Sequence, residues 1–352
     1  MRVHVCILAP ALTLLCGLPA VGQDKKPART LITNEAREAI DAGLAYLVKQ
    51  QAKDGSWGDG QWQGNLGITS LAGLAFLARG DYPNQPRQRD AILKAVDFIL
   101  ANESKQQAGF FVSEKAAHGP MYGHGYAVLF LAEAHAMLPE KRKRELKQAL
   151  ERAVKLILES QNKDGGWRYR PEPKDADITV TACQVHALYA ARAAGIEVPK
   201  AAMDNSQRYI LSCQDAAGQG GFRYQSFGGP PGFARTAAAI SALQRTGMDR
   251  GEMLEKGFKY LLSDAKPLPN AETQLHFHFR YYYAMQALRR HTRQEWEQEY
   301  SAIRDVLLAK PPEGHRQADG SWSLGMMGPD YCTAMSILIL QSPESQIDRA
   351  KK

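Results

Sequence analysis

The sequence predicts an all-α fold in which six helix pairs close into a ring, an (α/α)6 arrangement. Three observations predict it. A phrase repeats: a Gln or its remnant, a glycine-rich turn, then an aromatic. Its copies are YLVKQQAKDGSW (46–57), LILESQNKDGGW (156–167), YILSCQDAAGQGGF (209–222) and RQADGSW (316–322), with a weaker FILANESKQQAGFF (98–111). The spacing is about 50 residues, the mark of a repeat architecture. Between copies, charged amphipathic stretches alternate with small apolar ones.

Six units follow in order: 35–80, 89–138, 146–195, 200–247, 250–291 and 296–341. Their first stretches carry charge on one side, as in RDAILKAVDFIL and KQALERAVKLIL. Their second stretches are apolar all round, as in TSLAGLAFLA, TAAAISALQRTG and CTAMSILIL. The first kind lies at a surface and the second is buried. Six outer helices therefore surround six inner ones. The fifth unit has lost its turn and carries KPLPNAETQLHFHF instead. Stacked helix pairs need capped ends or closure. With little sequence to spare for caps, closure between units 1 and 6 is expected. The folded domain is placed at 35–342, after a polar lead-in at 23–34 and before a tail at 343–352.

The turns have a local logic. In Asp54-Gly55-Ser56-Trp57, Asp164-Gly165-Gly166-Trp167 and Asp319-Gly320-Ser321-Trp322, Asp takes up local N–H groups and Gly supplies positive φ. Trp then buries a large apolar face. Gln51, Gln161, Gln214 and Gln317 are placed to satisfy orphan groups at a helix end. These residues read as structure rather than chemistry.

The phrase Q-x(2–5)-D-G-[SG]-W resembles the QW repeat of squalene and hopene cyclases. The six-fold layout is similar to the α/α toroid shared by those cyclases, protein prenyltransferase β subunits and complement-type thioester domains. GGWRYRPEPKDADITVTACQVHAL and MYGHGYAVLFLAE look most like secreted, planctomycete-type proteins with prenyltransferase and squalene oxidase repeats. The resemblance implies the fold and implies that the Gln side chain bonds to the next unit. It does not imply one activity, because one fold hosts unrelated functions.

Residues 1–22 read as a cleavable signal: Arg2, the apolar run VCILAPALTLLCGLPA, and Ala20-Val21-Gly22 before Gln23. A secreted or periplasmic location is expected. Lipid attachment at Cys16 is disfavoured by the bulky Leu15 before it. No later segment is long and apolar enough to span a membrane. The mature chain keeps Cys183, Cys213 and Cys332, an odd number, so at least one thiol is unpaired. Net charge is +7, moderately basic, which suits anionic envelope partners. No dense basic cluster is interleaved with aromatics, so nucleic acid is not expected. A monomer is expected, and no cofactor is required by the sequence.

Chemistry is expected where the inner helices begin, at one mouth of the ring. His118, His124, Asp175, Asp177, Arg235, His276, His278 and Asp330 gather there, with Tyr126, Thr181, Gln184 and Tyr281 as further binding candidates. Asp175-Ala176-Asp177-Ile178-Thr179 matches the first and third positions of the D-x-D-D-T of class II terpene cyclases. By that resemblance Asp177 is the catalytic acid and Asp175 its companion. Ile178 departs from the motif and removes one carboxylate. Asp177 also reads as the N-cap of an inner helix. Asp330-Tyr331-Cys332 resembles the D-x-C of prenyltransferase β subunits, which implies zinc completed by a histidine from another inner helix, His124, His276 or His278. The H-T-C-Y pattern of that family is missing, and Asp330 also reads as a helix cap. There is no C-G-E-Q, so no internal thioester forms. Two functions remain open: a toroid that binds a ligand or envelope protein at its mouth, and an isoprenoid enzyme of the terpene-cyclase or prenyl-transfer kind.

Overall fold

The computed structural model describes residues 31–80, 84–113, 119–263, 276–311 and 314–345. The expected signal, most of the lead-in, His118 and the last residues of the tail lie outside them.

Among the described residues there are twelve α-helices and no strands beyond isolated bridges. The outer helices are α1 (Asn34–Gln50), α3 (Pro86–Ala101), α5 (Glu140–Glu159), α7 (Lys200–Ser212), α9 (Glu252–Ser263) and α11 (Arg293–Leu308). The inner helices are α2 (Leu66–Arg79), α4 (Pro120–Ala134), α6 (Ile178–Ala193), α8 (Phe233–Arg245), α10 (Phe277–Leu288) and α12 (Gly328–Leu340). Each inner helix packs on the next, and α12 packs back on α2. The fold is the closed (α/α)6 toroid. The patterning explains the layers. α5 buries Leu146, Ala149, Leu150, Ala153, Val154 and Ile157, a stripe at helical spacing. α6 buries nearly its whole circumference, including Thr181, Gln184 and His186.

The repeated phrase has a repeated geometry. Gln51 Nε2 donates to Gly55 O at 3.0 Å in its own turn and to Ala91 O at 2.8 Å in the next outer helix. Gln161 does the same to Gly165 O and Ala202 O, and Gln214 to Gly220 O and Met253 O. One amide thus ties a turn to the following unit. Unit 2 uses Glu103 instead. Its carboxylate accepts Gly109 N–H at 2.7 Å and both Nε and Nη2 of Arg152 on α5. Gln317 departs from the pattern and donates within its own turn, to His315 O at 3.0 Å.

The turn glycines are required by contact as well as by φ. At Gly165 (φ 99°) a Cβ would lie 2.1 Å from Asn205 O, and at Gly55 (φ 93°) 2.3 Å from Lys94 O. No side chain fits between a turn and the neighbouring helix. The tryptophans are bonded at both ends. Trp57, Trp167 and Trp322 Nε1 donate to Leu47, Ile157 and Leu307 carbonyls. Their backbone N–H groups donate to Thr69, Thr181 and Thr333 Oγ1 in the first turns of the inner helices.

Closure joins unit 6 to unit 1 by several kinds of contact. Gln341 Nε2 donates to Ala75 O at 2.9 Å, and Arg37 pairs with Glu344 at 2.9 Å. Trp322 packs against Gly43, where a Cβ would come within 2.8 Å of the ring. Gly58 N–H donates to Asp330 Oδ2, and Asp330 N–H to Asp59 Oδ2.

Candidate functional site

The inner helices begin together at one end, as expected, but the candidates there do different jobs. Thr181 accepts the Trp167 N–H at 3.1 Å. His124 takes the same place in unit 2, with Nδ1 accepting Phe111 N–H at 3.2 Å. The two belong to the repeat anchor rather than to an opening. Burial pushes the His124 imidazole down to about 4, so it stays neutral as an acceptor. Gln184 is buried and donates to Met121 O at 2.8 Å. Tyr281 packs among Phe277 and Phe233. Arg235 is half-buried in the first turn of α8, and its charge together with burial lowers the His276 pKa.

The centre of the ring is filled two turns down. The hydroxyls of Tyr126 on α4 and Tyr283 on α10 meet at 3.3 Å, although these helices stand opposite each other. His186 packs edge-on to Tyr283 and bonds Ser241 at 2.9 Å. Tyr126 and Tyr283 are each the seventh residue of their helix. At 1.5 Å per residue, this floor lies about 9 Å below the helix starts.

The proposed zinc set does not assemble. Cys332 Sγ donates to Leu324 O, and burial raises its thiol to about 11. His278 Nε2 is engaged by Ser336 Oγ at 3.0 Å. His276 is exposed while His278, two residues on, is buried, so the two share no site. Among the described residues no three His, Cys, Asp or Glu side chains converge as metal ligands. Cys183, Cys213 and Cys332 are buried and unpaired.

Two carboxyl centres remain at the mouth, on α6 and α12, three units apart. Asp177 is wholly buried. Its Oδ1 accepts the N–H groups of Thr179 and Val180 at 3.0 and 2.9 Å and the Thr179 hydroxyl at 2.7 Å. The expected N-cap is therefore present. Its Oδ2 is buried and receives no hydrogen bond; Arg168 Nε stands 3.6 Å away. Burial raises the Asp177 pKa, against the lowering effect of the capping bonds and Arg168. Tyr122 OH meets Thr179 Oγ1 at 2.5 Å, and Tyr169 and Tyr224 hydroxyls meet at 2.5 Å beside Arg168. Asp175 is exposed and pairs with Arg168 at 3.4 Å. Sequence reasoning missed Arg168, Tyr122, Tyr169 and Tyr224. Their only signal was proximity to the turns of units 3 and 4 and to the start of α4.

No family profile matches the chain. Solved structures share its fold. A cellobiose 2-epimerase from Spirochaeta thermophila DSM 6192 superposes with a TM-score of 0.64 at 14% identity, over 91% of this chain and 98% of that one. A type II terpene cyclase from Scytonema, in complex with geranylgeranyl dihydroxybenzoate, gives 0.59 at 15% over 90% and 99%. An α-1,6-mannanase from Salegentibacter sp. HEL1_6, with bound α-1,6-mannotriose, gives 0.59 at 11% over 87% and 98%. The chain is an α/α toroid. A drimenyl diphosphate synthase from Streptomyces showdoensis is 27% identical over 167 residues, 44% of this chain but 29% of the relative. The chain thus matches under a third of that protein's length.

Asp330 is the other buried acid, flanked by Asp59 and Tyr46 at the unit 6–unit 1 seam. Burial, and the nearby Asp59 charge, push it up to about 6 despite the Gly58 hydrogen bond. A carboxyl whose folded pKa exceeds the unfolded one contributes stability below the unfolded value, lost as pH rises through the folded one. Wild-type protein should therefore lose about 2 kcal/mol more than Asp330→Asn between about pH 4.5 and 7. Urea unfolding of both proteins at the two pH values checks this. Parallel curves would show that Asp330 is not raised.

Proposed function

We propose that this chain is an exported toroid of the terpene-cyclase kind, with repeats akin to those of squalene and hopene cyclases, that binds an isoprenoid-class ligand at the mouth beside Asp177. The observation that carries this reading is the Asp177 carboxyl. It is buried, with Tyr122 and Tyr224 close by and Tyr169 bonded to Tyr224, and has one oxygen without a hydrogen-bond donor. Burial that raises a carboxyl's pKa suits it to hold a proton for general-acid work. The stretch of likeness to drimenyl diphosphate synthase supports the same ligand class. The Tyr126–Tyr283 floor favours a short ligand over one threaded deep along the axis.

A second reading is that Asp177 is a cap alone, favoured by the three bonds on Oδ1. Mature protein incubated with farnesol, farnesyl diphosphate and geranylgeranyl diphosphate separates the two. Saturable binding is expected, with any cyclised product lost in Asp177→Asn. Asn caps a helix about as well as Asp, so the melting temperature should hold. No binding of any of the three compounds would overturn the proposal and leave the cap. Export is tested by N-terminal sequencing of the secreted protein, with Gln23 expected first.

A further inference from the structure

Arg168 is held unlike the residues at its position in the other units. The residue after the turn aromatic is Gly58 in unit 1, Val112 in unit 2 and Ser323 in unit 6. In unit 4 it is Arg223, whose guanidinium is committed to Asp215 at 2.5 Å. Arg168 is held differently. Its guanidinium lies 4.8 Å from the Tyr169 ring and 5.4 Å from the Tyr224 ring, and those two phenols are bonded to each other. Its contacts to Asp175 and Asp177, at 3.4 and 3.6 Å, are ion pairs without hydrogen-bond geometry. Among the described residues nothing else takes its donors. The backbone beneath it is fixed, because Asp177 N–H donates to Trp167 O at 2.9 Å.

A guanidinium stacked on aromatics, partly exposed and with its fork unspent, is preorganised for a planar or tetrahedral oxyanion. The local charge opposes such a ligand while Asp175 and Asp177 are both ionised. Asp175 is exposed and screened by water. Asp177 is not: its Oδ2 is buried, and among the described residues Arg168 is the cation against it. Tyr122, Tyr209, Tyr224, Cys183 and Cys213 also face it, and burial raises the pKa of all five, so none offers a charge near neutral pH. A buried carboxylate that loses its counter-charge takes a proton. The proton goes to Oδ2, since three donors already hold Oδ1.

We propose that Arg168 binds the phosphate or diphosphate oxyanion of the mouth's ligand, and that Asp177 takes up one proton from solvent as Arg168 is drawn away from it. The proposal rests on the mouth beside Asp177 being a ligand site. It makes ligand arrival the event that charges the acid with its proton. No bond other than O–H forms, and the proton comes from water or buffer.

The probe is inorganic pyrophosphate, titrated calorimetrically into the mature protein at pH 7 in two buffers of different ionisation enthalpy. The expected result is saturable binding with net uptake approaching one proton. Arg168→Lys keeps the charge but loses the fork, and should bind at least tenfold more weakly. Asp177→Asn should bind more tightly and take up no proton. Unchanged pyrophosphate affinity in Arg168→Lys, or equal heats in the two buffers, would overturn the proposal. Farnesol binding without pyrophosphate binding sinks this inference and spares the isoprenoid reading. Failure to bind pyrophosphate or any of the three isoprenoid compounds sinks both. Melting curves of each variant confirm that it is folded.

Discussion

A chain cut off before residue 296 should fail to give a stable fold. The deletion removes α12 and all but the first three residues of α11, and α12 is the inner helix that joins α10 to α2. Ile337, Leu338, Ile339 and Leu340 are buried on that helix. At about 1.5–3 kcal/mol for each large apolar side chain, these four alone represent about 6–12 kcal/mol. That is comparable to the entire stability of a typical domain, about 5–15 kcal/mol. The loss also strips Gly43 and Ala75 of their partners in unit 6, so both open edges expose apolar surface. Expression, limited proteolysis and thermal melting of 23–295 against 23–352 measure the effect. A soluble truncation melting with the full-length chain would mean that units stack as an open array and that closure contributes nothing.

Trp167→Ala should cost about 3–5 kcal/mol, the usual range for emptying a buried aromatic site. Trp167 is 1% exposed. Its ring fills the joint between α5 and α6, and its Nε1–H satisfies Ile157 O at 2.7 Å. Alanine leaves a cavity and removes one of the two donors to Ile157 O, which keeps the Ser160 hydroxyl at 3.0 Å. Its backbone bond to Thr181 would survive, so the loss should be packing and one hydrogen bond, not the turn. Chemical denaturation at neutral pH reads this directly. Full stability with lost ligand binding would make Trp167 a site residue instead of a structural one.

The fold was legible because its causes are local and repeated. Asp-Gly-Ser-Trp names a turn whose glycine is demanded by Lys94 or Ala42 pressed against it, and the demand recurs at Asp-Gly-Gly-Trp with Asn205. The helix layers were legible for a similar reason: α6 and α12 are apolar all round, whereas α5 and α3 carry one apolar stripe. The Asp177 cap was legible too, from its place before the run ITVTAC. The assignment of His124 and Thr181 to a mouth was not secure, because position along a helix does not say which way a side chain is used. Both accept a backbone N–H from the preceding turn. Gln317 shows the converse, a repeat residue that does not make its repeat bond.

What the sequence determined by itself was the six-fold helical ring, its inner and outer layers and its turn chemistry. Hydrophobic periodicity and glycine-dependent turns are properties of short stretches, readable without knowing the neighbours. Tertiary structure alone decided that Tyr126 and Tyr283 close the axis, that Asp59, Tyr46 and Asp330 share the closing seam, and that Arg168 stands between two tyrosines over Asp177. Each of these joins residues from different helices or loops, some more than 150 positions apart. Their chemistry depends on distance, burial and charge, and those exist only once the ring has closed.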